Sequence, residues 1–125
     1  MTSDDSQPVL RVVPAPGDIN SNGNIFGGWI LAQMDIAGGI AARRRAHGPV
    51  ATVAIEAMEF IRPILLQDIL SLYTAIEMVG RTSIRVRIDV KVIRADASEE
   101  VQVTHGLFTF VAIDENGRPR PVDPE

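Results

Sequence analysis

The sequence predicts an α+β domain in which an antiparallel sheet covers one long helix. Three observations support this fold class: a Gly- and Ala-rich helical stretch at residues 26–46, four extended stretches after it, and short connections between them. The chain has 125 residues, of which 46% are hydrophobic. This is enough for one core and leaves little room for a second domain.

The helix has recognisable start and stop signals. A loop at residues 18–24 precedes it and is dense in Asp, Asn, Ser and Gly, which form turns and cap helices. Three arginines at residues 43–45 suit the negative end of the helix dipole, and His47-Gly48-Pro49 ends the helix. Apolar residues recur at spacings of three and four: Ile30, Met34, Ala37 and Ala41. Gly38 and Gly39 weaken the helix locally, which indicates close packing against the sheet.

The strands follow from stretches rich in β-branched and apolar residues. These stretches are residues 50–60, 69–79, 82–92 and 101–113, with a short one at 9–13 before the helix. The stretch at 82–92 alternates apolar and polar residues most regularly, as in a strand with one buried face. We place the domain at residues 8–117, between a disordered tail at 1–7 and a Pro-rich tail at 118–125.

Composition excludes several classes of function. A formal net charge of -4 and no long basic run argue against nucleic-acid binding. The absence of cysteine excludes disulfides, thiolate catalysis and Cys-ligated metals, and His47 and His105 lack the spacing of metal ligands. The acidic N-terminus differs from a secretory leader, and no stretch is long and apolar enough to span a bilayer. We therefore expect a cytoplasmic protein without a metal site.

Asp35 is the most informative polar residue. It lies about two turns into the helix among Leu31, Met34 and Ile36, where a carboxylate loses solvation unless it faces a cleft. One interpretation is an aspartate on the helix surface that faces water. The other is a catalytic base or nucleophile on the helical face that also carries Gly27 and Gly28.

Gly27 and Gly28 open the predicted helix, where backbone N–H groups have no partner within the helix. Without side chains there, a substrate carbonyl could approach those donors, each contributing about 3 kcal/mol to the transition state when well aimed. The alternative is that the two glycines only allow the loop to turn into the helix under crowding. No phosphate-binding glycine motif follows a strand.

A set of motifs resembles the YciA-type acyl-CoA thioester hydrolases. They are the segment N-S-N-G-N-I-F-G-G-W-I at residues 20–30, Q-M-D at 33–35, A-H-G at 46–48, T-V-A at 52–54 and F-I-R-P at 60–63. The resemblance runs from about Pro14 to the Pro-rich tail. Its specificity lies in the combination, because each piece alone is weak.

The resemblance implies a hot-dog fold, in which an antiparallel sheet wraps one central helix, and a homodimer with active sites at the subunit interface. It further implies a trimer of such dimers and hydrolysis of acyl-CoA thioesters of many chain lengths. Neither a metal nor a separate cofactor is expected, since coenzyme A is part of the substrate. Asn20 and Asp35 match the catalytic pair of related hydrolases, which different hot-dog units contribute.

The residues and the resemblance together lead to a mechanistic hypothesis. The thioester carbonyl lies against the N–H of Gly27 or Gly28, while Asp35 of the facing subunit activates water or attacks directly. Phe26, where many relatives carry His, is expected to line the substrate site without acid–base chemistry. Candidate contacts for the coenzyme A phosphates are Arg62, Arg81 and Ser83.

Two other functions stay open at this point. One is a hot-dog dehydratase or hydratase, although such sites resemble a His with a carboxylate and this chain lacks a His near the helix start. The second is a non-catalytic acyl-CoA-binding or sensor module on the same fold.

Overall fold

A computed structural model describes residues 7–94 and 98–124, so that six residues of the predicted N-terminal tail, 1–6, lie outside it. The predicted long helix and antiparallel sheet are confirmed, with element ends within about a residue of those expected. The elements in chain order are β1 (Leu10–Val12), a 3-10 turn (Pro16–Asp18), α1 (Gly27–Ala46), β2 (Val50–Phe60), β3 (Ile69–Val79), β4 (Ser83–Ile93) and β5 (Glu100–Ala112).

The strands form one antiparallel sheet in the order β1-β3-β4-β5-β2. The two edges differ greatly in length. β1 has three residues, whereas β2 has eleven and, among the described strands, pairs only with β5. The edge at β2 therefore leaves a long row of backbone groups without a partner strand in this chain, and Val53 on it is 57% exposed.

The core lies between α1 and the concave face of the sheet. Every second residue of β4 is fully buried there, as the regular alternation predicted: Ile84, Val86, Ile88, Val90 and Val92. β5 contributes Phe108 and Phe110, and the helix contributes a small-residue stripe around Met34. Each large apolar side chain buried in this way stabilises the fold by about 1.5–3 kcal/mol.

Only one of the two central glycines of α1 is required by this packing. A Cβ built at Gly38 would lie 2.8 Å from Ile88 Cδ1 and 2.9 Å from Phe110 Cζ. At Gly39 the nearest atom would be Phe110 Cε2 at 3.9 Å, an ordinary contact distance. Gly38 therefore lets the helix approach the sheet, while Gly39 leaves an unfilled position on the more open side of α1.

The C-terminal segment, predicted to be a Pro-rich tail, packs against the end of the helix. His47 adopts a left-handed conformation with φ 56° and ends α1, and the guanidinium of Arg120 donates to the Ala46 carbonyl at 2.8 Å. Val122 is buried, and Asp123 pairs with Arg45 at 2.7 Å. These contacts fix the end of α1 against the closing segment of the chain.

Within the described ranges, no helix has both the length and the apolar character needed to cross a bilayer.

The different surroundings of the two glycines predict opposite responses to alanine. Gly38→Ala should lower the free energy of unfolding by about 1–3 kcal/mol, because the added methyl group overpacks the helix–sheet contact. Gly39→Ala should keep or raise it by up to about 1 kcal/mol through better helix propensity. Thermal and urea unfolding of the two variants measure this difference, and equal losses would contradict the assigned packing.

Candidate active site

Asp35 lies half-buried on α1 beside the first residues of β2. The hydroxyl of Thr52 donates a hydrogen bond to Asp35 Oδ1 at 2.6 Å. Among the described residues, Asp35 Oδ2 accepts no hydrogen bond. The carboxylate is thus neither enclosed in the core nor free on the helix surface, since one oxygen is held and the other is available.

The local fold explains why these two side chains meet. Pro49 follows the left-handed end of α1, so the chain reverses at once into β2. Thr52 pairs with the inward-facing Phe110 and therefore also faces the helix, just before an irregularity in the strand at Val53. Thr52 lay within one of the sequence motifs but had no predicted role. Its contact joins residues 17 positions apart and depends on tertiary packing.

The N-terminus of α1 presents backbone donors to its surroundings. Phe26 is the N-cap residue, with an extended backbone and no capping hydrogen bond from its side chain. Across the described chain, the N–H groups of Gly27 and Gly28 have no hydrogen-bond acceptor. Phe26 itself is 42% exposed, which agrees with a place at the rim of a substrate site.

The two glycines at this tip have different neighbours. A Cβ at Gly27 would lie 3.3 Å from Cζ of Phe60, so crowding by that ring favours glycine there. A Cβ at Gly28 would meet nothing within 4 Å. Space beside the Gly28 N–H is therefore open to a ligand, whereas the crowding explanation applies to Gly27 alone.

Asn20 organises the loop in front of the helix. Its side-chain oxygen accepts hydrogen bonds from the backbone N–H of Asn22 at 2.9 Å and of Asn24 at 3.1 Å. Its backbone N–H donates to the Asn24 carbonyl at 2.7 Å. The oxygen is engaged by two donors, whereas the amide nitrogen donates to no described residue. Asn20 can therefore offer a hydrogen-bond donor to a bound molecule.

The helix tip and the carboxylate of the same chain are not adjacent. Gly28 and Asp35 lie on one face but seven residues apart, which corresponds to about 10.5 Å along the helix axis. A single thioester carbonyl cannot contact both groups at that separation. The predicted site residues of one chain therefore form two half-sites.

The predicted phosphate contacts also divide into two groups. The Arg62 guanidinium donates to the Gln102 carbonyl at 2.7 Å, near the start of β5. Ser83 pairs with Val111, near the end of β5, and Arg81 precedes it in the adjacent turn. Nine residues of strand separate these places, or about 30 Å. One chain does not bring Arg62 together with Arg81 and Ser83.

The histidines lie away from both half-sites. His47 ends the helix, and His105 on the outer face of β5 lies 3.6 Å from Glu59. The described residues contain no group of three or more His, Cys, Asp or Glu side chains placed to hold a metal ion.

Comparison with known proteins gives consistent matches. The family model of the thioesterase superfamily matches residues 22–94. An uncharacterized acyl-CoA thioester hydrolase of Haemophilus influenzae is 47% identical over 94% of this chain and 78% of its own length. The acyl-CoA thioester hydrolase YciA of Salmonella typhimurium is 43% identical over 98% of this chain and 97% of its own.

A solved structure is similar over the same range. It is an aspartate-to-alanine mutant of HI0827, described as a hexameric broad-specificity acyl-coenzyme A thioesterase. It has 45% sequence identity and a TM-score of 0.90, covering 94% of this chain and 87% of that one. The fold and these matches thus define a hot-dog thioesterase. The chain belongs to the thioesterase superfamily and, within it, to the YciA-type acyl-CoA thioester hydrolases.

Proposed function

We propose that this protein hydrolyses acyl-CoA thioesters to a free acid and coenzyme A, with Asp35 as the central catalytic residue. The observation that carries the proposal is the Asp35 carboxylate, held through Oδ1 by Thr52 while Oδ2 accepts no hydrogen bond from any described residue. The names of the relatives supply the substrate class. The reaction needs no cofactor, and the predicted cytoplasmic location stays a prediction.

A second copy of the chain would complete the site. The unpaired edge of β2 favours antiparallel pairing with the same strand of another copy. A two-fold axis near the middle of β2 would bring the Thr52 end of one strand alongside the Phe60 end of the other. Because Phe60 packs on Gly27, the helix tip of the partner subunit would then lie beside Asp35.

In this arrangement the reacting carbonyl oxygen accepts hydrogen bonds from the N–H of Gly27 or Gly28, which stabilise the negative charge that develops there. Asp35 of the other subunit acts by one of two routes. As a base it takes a proton from water while the water oxygen adds to the carbonyl carbon. As a nucleophile its oxygen adds instead, giving an anhydride that water later hydrolyses. In both routes the C–S bond breaks and coenzyme A leaves as a thiolate that takes up a proton.

Asn20 and Thr52 have distinct roles in this proposal. Asn20 orients the attacking water or the thioester through its amide nitrogen, since its oxygen is held by the loop. Thr52 is a positioning residue, because its hydroxyl fixes the Asp35 carboxylate so that Oδ2 faces the substrate. Phe26 lies beside the carbonyl site as an apolar wall.

The proposed dimer would be one unit of a larger assembly, and both of its chains would contact the phosphates of coenzyme A. The solved relative is described as hexameric, which supports a trimer of dimers here. Antiparallel pairing would also place Arg62 of the partner subunit toward the end that carries Arg81 and Ser83, so that both chains could contact coenzyme A.

A dehydratase would require a His at the helix tip, and the two histidines of the chain lie elsewhere. A sensor module would bind acyl-CoA without releasing thiol.

Replacing the carboxylate tests the central claim. Asp35→Asn should lower kcat by about 10²–10⁴-fold, because the amide can neither take a proton nor attack. The thermal unfolding temperature should stay near wild type. Release of free thiol from a panel of acyl-CoA substrates measures the loss. Retained hydrolysis of a medium-chain substrate by the variant would remove Asp35 from the mechanism, and a wild-type protein that binds without releasing thiol would indicate a sensor.

Mixing two inactive variants tests the shared site. Asn20→Asp keeps the oxygen that holds the loop but removes the donor, so it should lower kcat with the loop intact. When Asn20→Asp and Asp35→Asn subunits are refolded together, a mixed dimer has one site with both changes and one unchanged site. Thiol release should then reappear. If activity stays absent although mass spectrometry shows mixed dimers, both residues act within one chain.

The Thr52 hydrogen bond predicts a graded series. Thr52→Val keeps the shape but leaves Asp35 without its donor, and kcat should fall about tenfold or more. Thr52→Ser restores the hydroxyl and should recover most of the rate. Steady-state kinetics with one acyl-CoA measure kcat for both variants. If Thr52 had a purely structural role, the valine variant would have a kcat at least as high as the serine variant, because valine is the better strand former.

A further inference from the structure

The C-terminal end of α1 carries two arginines beside Arg45, which all suit the negative end of the helix dipole. Arg43 and Arg44 are exposed, and in the described part of the chain neither is within ion-pair distance of a carboxylate. Together with His47 and Gly48 they line an open cleft of about 440 Å³.

Other residues already stabilise this helix end. Arg45 donates two hydrogen bonds to Asp123, at 2.7 and 2.9 Å, and this contact lowers the pKa of the Asp123 carboxyl. Arg120 satisfies the Ala46 carbonyl, and the Gly48 N–H donates to the Arg43 carbonyl. Among the described residues, the guanidinium groups of Arg43 and Arg44 therefore have no ion-pair partner and are accessible to an external anion.

A second cleft adjoins this end. It has a volume of about 320 Å³ and is lined by Gly80, Arg81, Pro121 and Asp123. The ion pair between Arg45 and Asp123 links the two clefts, and Arg81 makes no ion pair with any described carboxylate. On a chain with a net charge of -4, this end is locally positive. Such a patch attracts anions of suitable shape.

The distance from the proposed catalytic carboxylate suits a substrate arm. Arg43 lies eight residues beyond Asp35, or about 12 Å along the helix axis. The pantetheine chain between the thioester and the first phosphate has about as many bonds as four extended residues, a reach on the order of 14 Å. Gly39 lies between them on the same helical face, and packing does not require its missing side chain.

We propose that Arg43, Arg44 and His47 form the binding site for the phosphate groups of the coenzyme A nucleotide. This assignment rests on the proposed function and adds a phosphate-binding site on the helix to the contacts predicted at Arg81 and Ser83. Guanidinium groups bind phosphate through paired, charge-assisted hydrogen bonds, and no described carboxylate competes for Arg43 or Arg44.

The test separates the nucleotide from the reacting group. Arg43→Gln combined with Arg44→Gln removes both charges and keeps good helix formers. For butyryl-CoA the double variant should show about a tenfold higher KM with unchanged kcat. For butyryl-pantetheine, which has no nucleotide, both constants should match wild type. Lys91→Gln removes one charge from the opposite face of the sheet and should change neither substrate's KM.

Direct binding tests the site without turnover. Calorimetric titration with coenzyme A should give about a tenfold weaker Kd for the double variant. An unchanged Kd, or an equal rise of KM for both butyryl substrates, would overturn the assignment. If the wild-type protein released no thiol from either substrate, the proposed hydrolysis would be wrong. The titration would still test whether Arg43 and Arg44 bind coenzyme A.

A free nucleotide with the same phosphates is the competing occupant. Adenosine 3′,5′-bisphosphate should compete with butyryl-CoA and leave turnover of butyryl-pantetheine unchanged. A change in kcat for butyryl-pantetheine would instead identify a regulatory nucleotide site and overturn the assignment to the substrate.

Discussion

The close approach of α1 to the sheet at Gly38 is the constraint on which the rest of the structure depends. Ile88 and Phe110 occupy the space that any side chain at this position would need. The helix can therefore pack close to the concave face of the sheet. This close packing brings Asp35, one turn before Gly38, within hydrogen-bond distance of Thr52 on the edge strand β2. A helix held farther from the sheet would leave the carboxylate in solvent without an orienting partner.

Much of this fold could be predicted from local signals. The Asn-rich loop and Pro49 bracket the helix, and the alternation in β4 identifies the buried face of the sheet. Asp35 stands out in the sequence because a carboxylate among apolar helical residues loses solvation unless it faces a cleft. These features depend on neighbours in sequence or on simple periodicity, which the amino-acid order displays directly.

What sequence reasoning missed depends on distant contacts. The hydrogen bond from Thr52 to Asp35 requires the chain to reverse direction at the end of α1. It also requires the observed register between β2 and β5, in which Thr52 lies opposite Phe110. Gly38 and Gly39 look equivalent in sequence, and only the position of Phe110 distinguishes them. Arg62 lies at the opposite end of the sheet from Arg81 and Ser83 in one chain, so that these candidate phosphate contacts meet only if two subunits combine. Physical separation of this kind has no local sequence signal.

The strand β2 combines two properties, support of the candidate site and an exposed sheet edge. It supplies Thr52 to the carboxylate, and its outer side is the long unpaired edge of the sheet. In the proposed dimer, a substitution in this strand would alter subunit affinity and active-site geometry together. Selection for catalytic activity would then also preserve the quaternary structure, even if oligomerisation brought no other advantage.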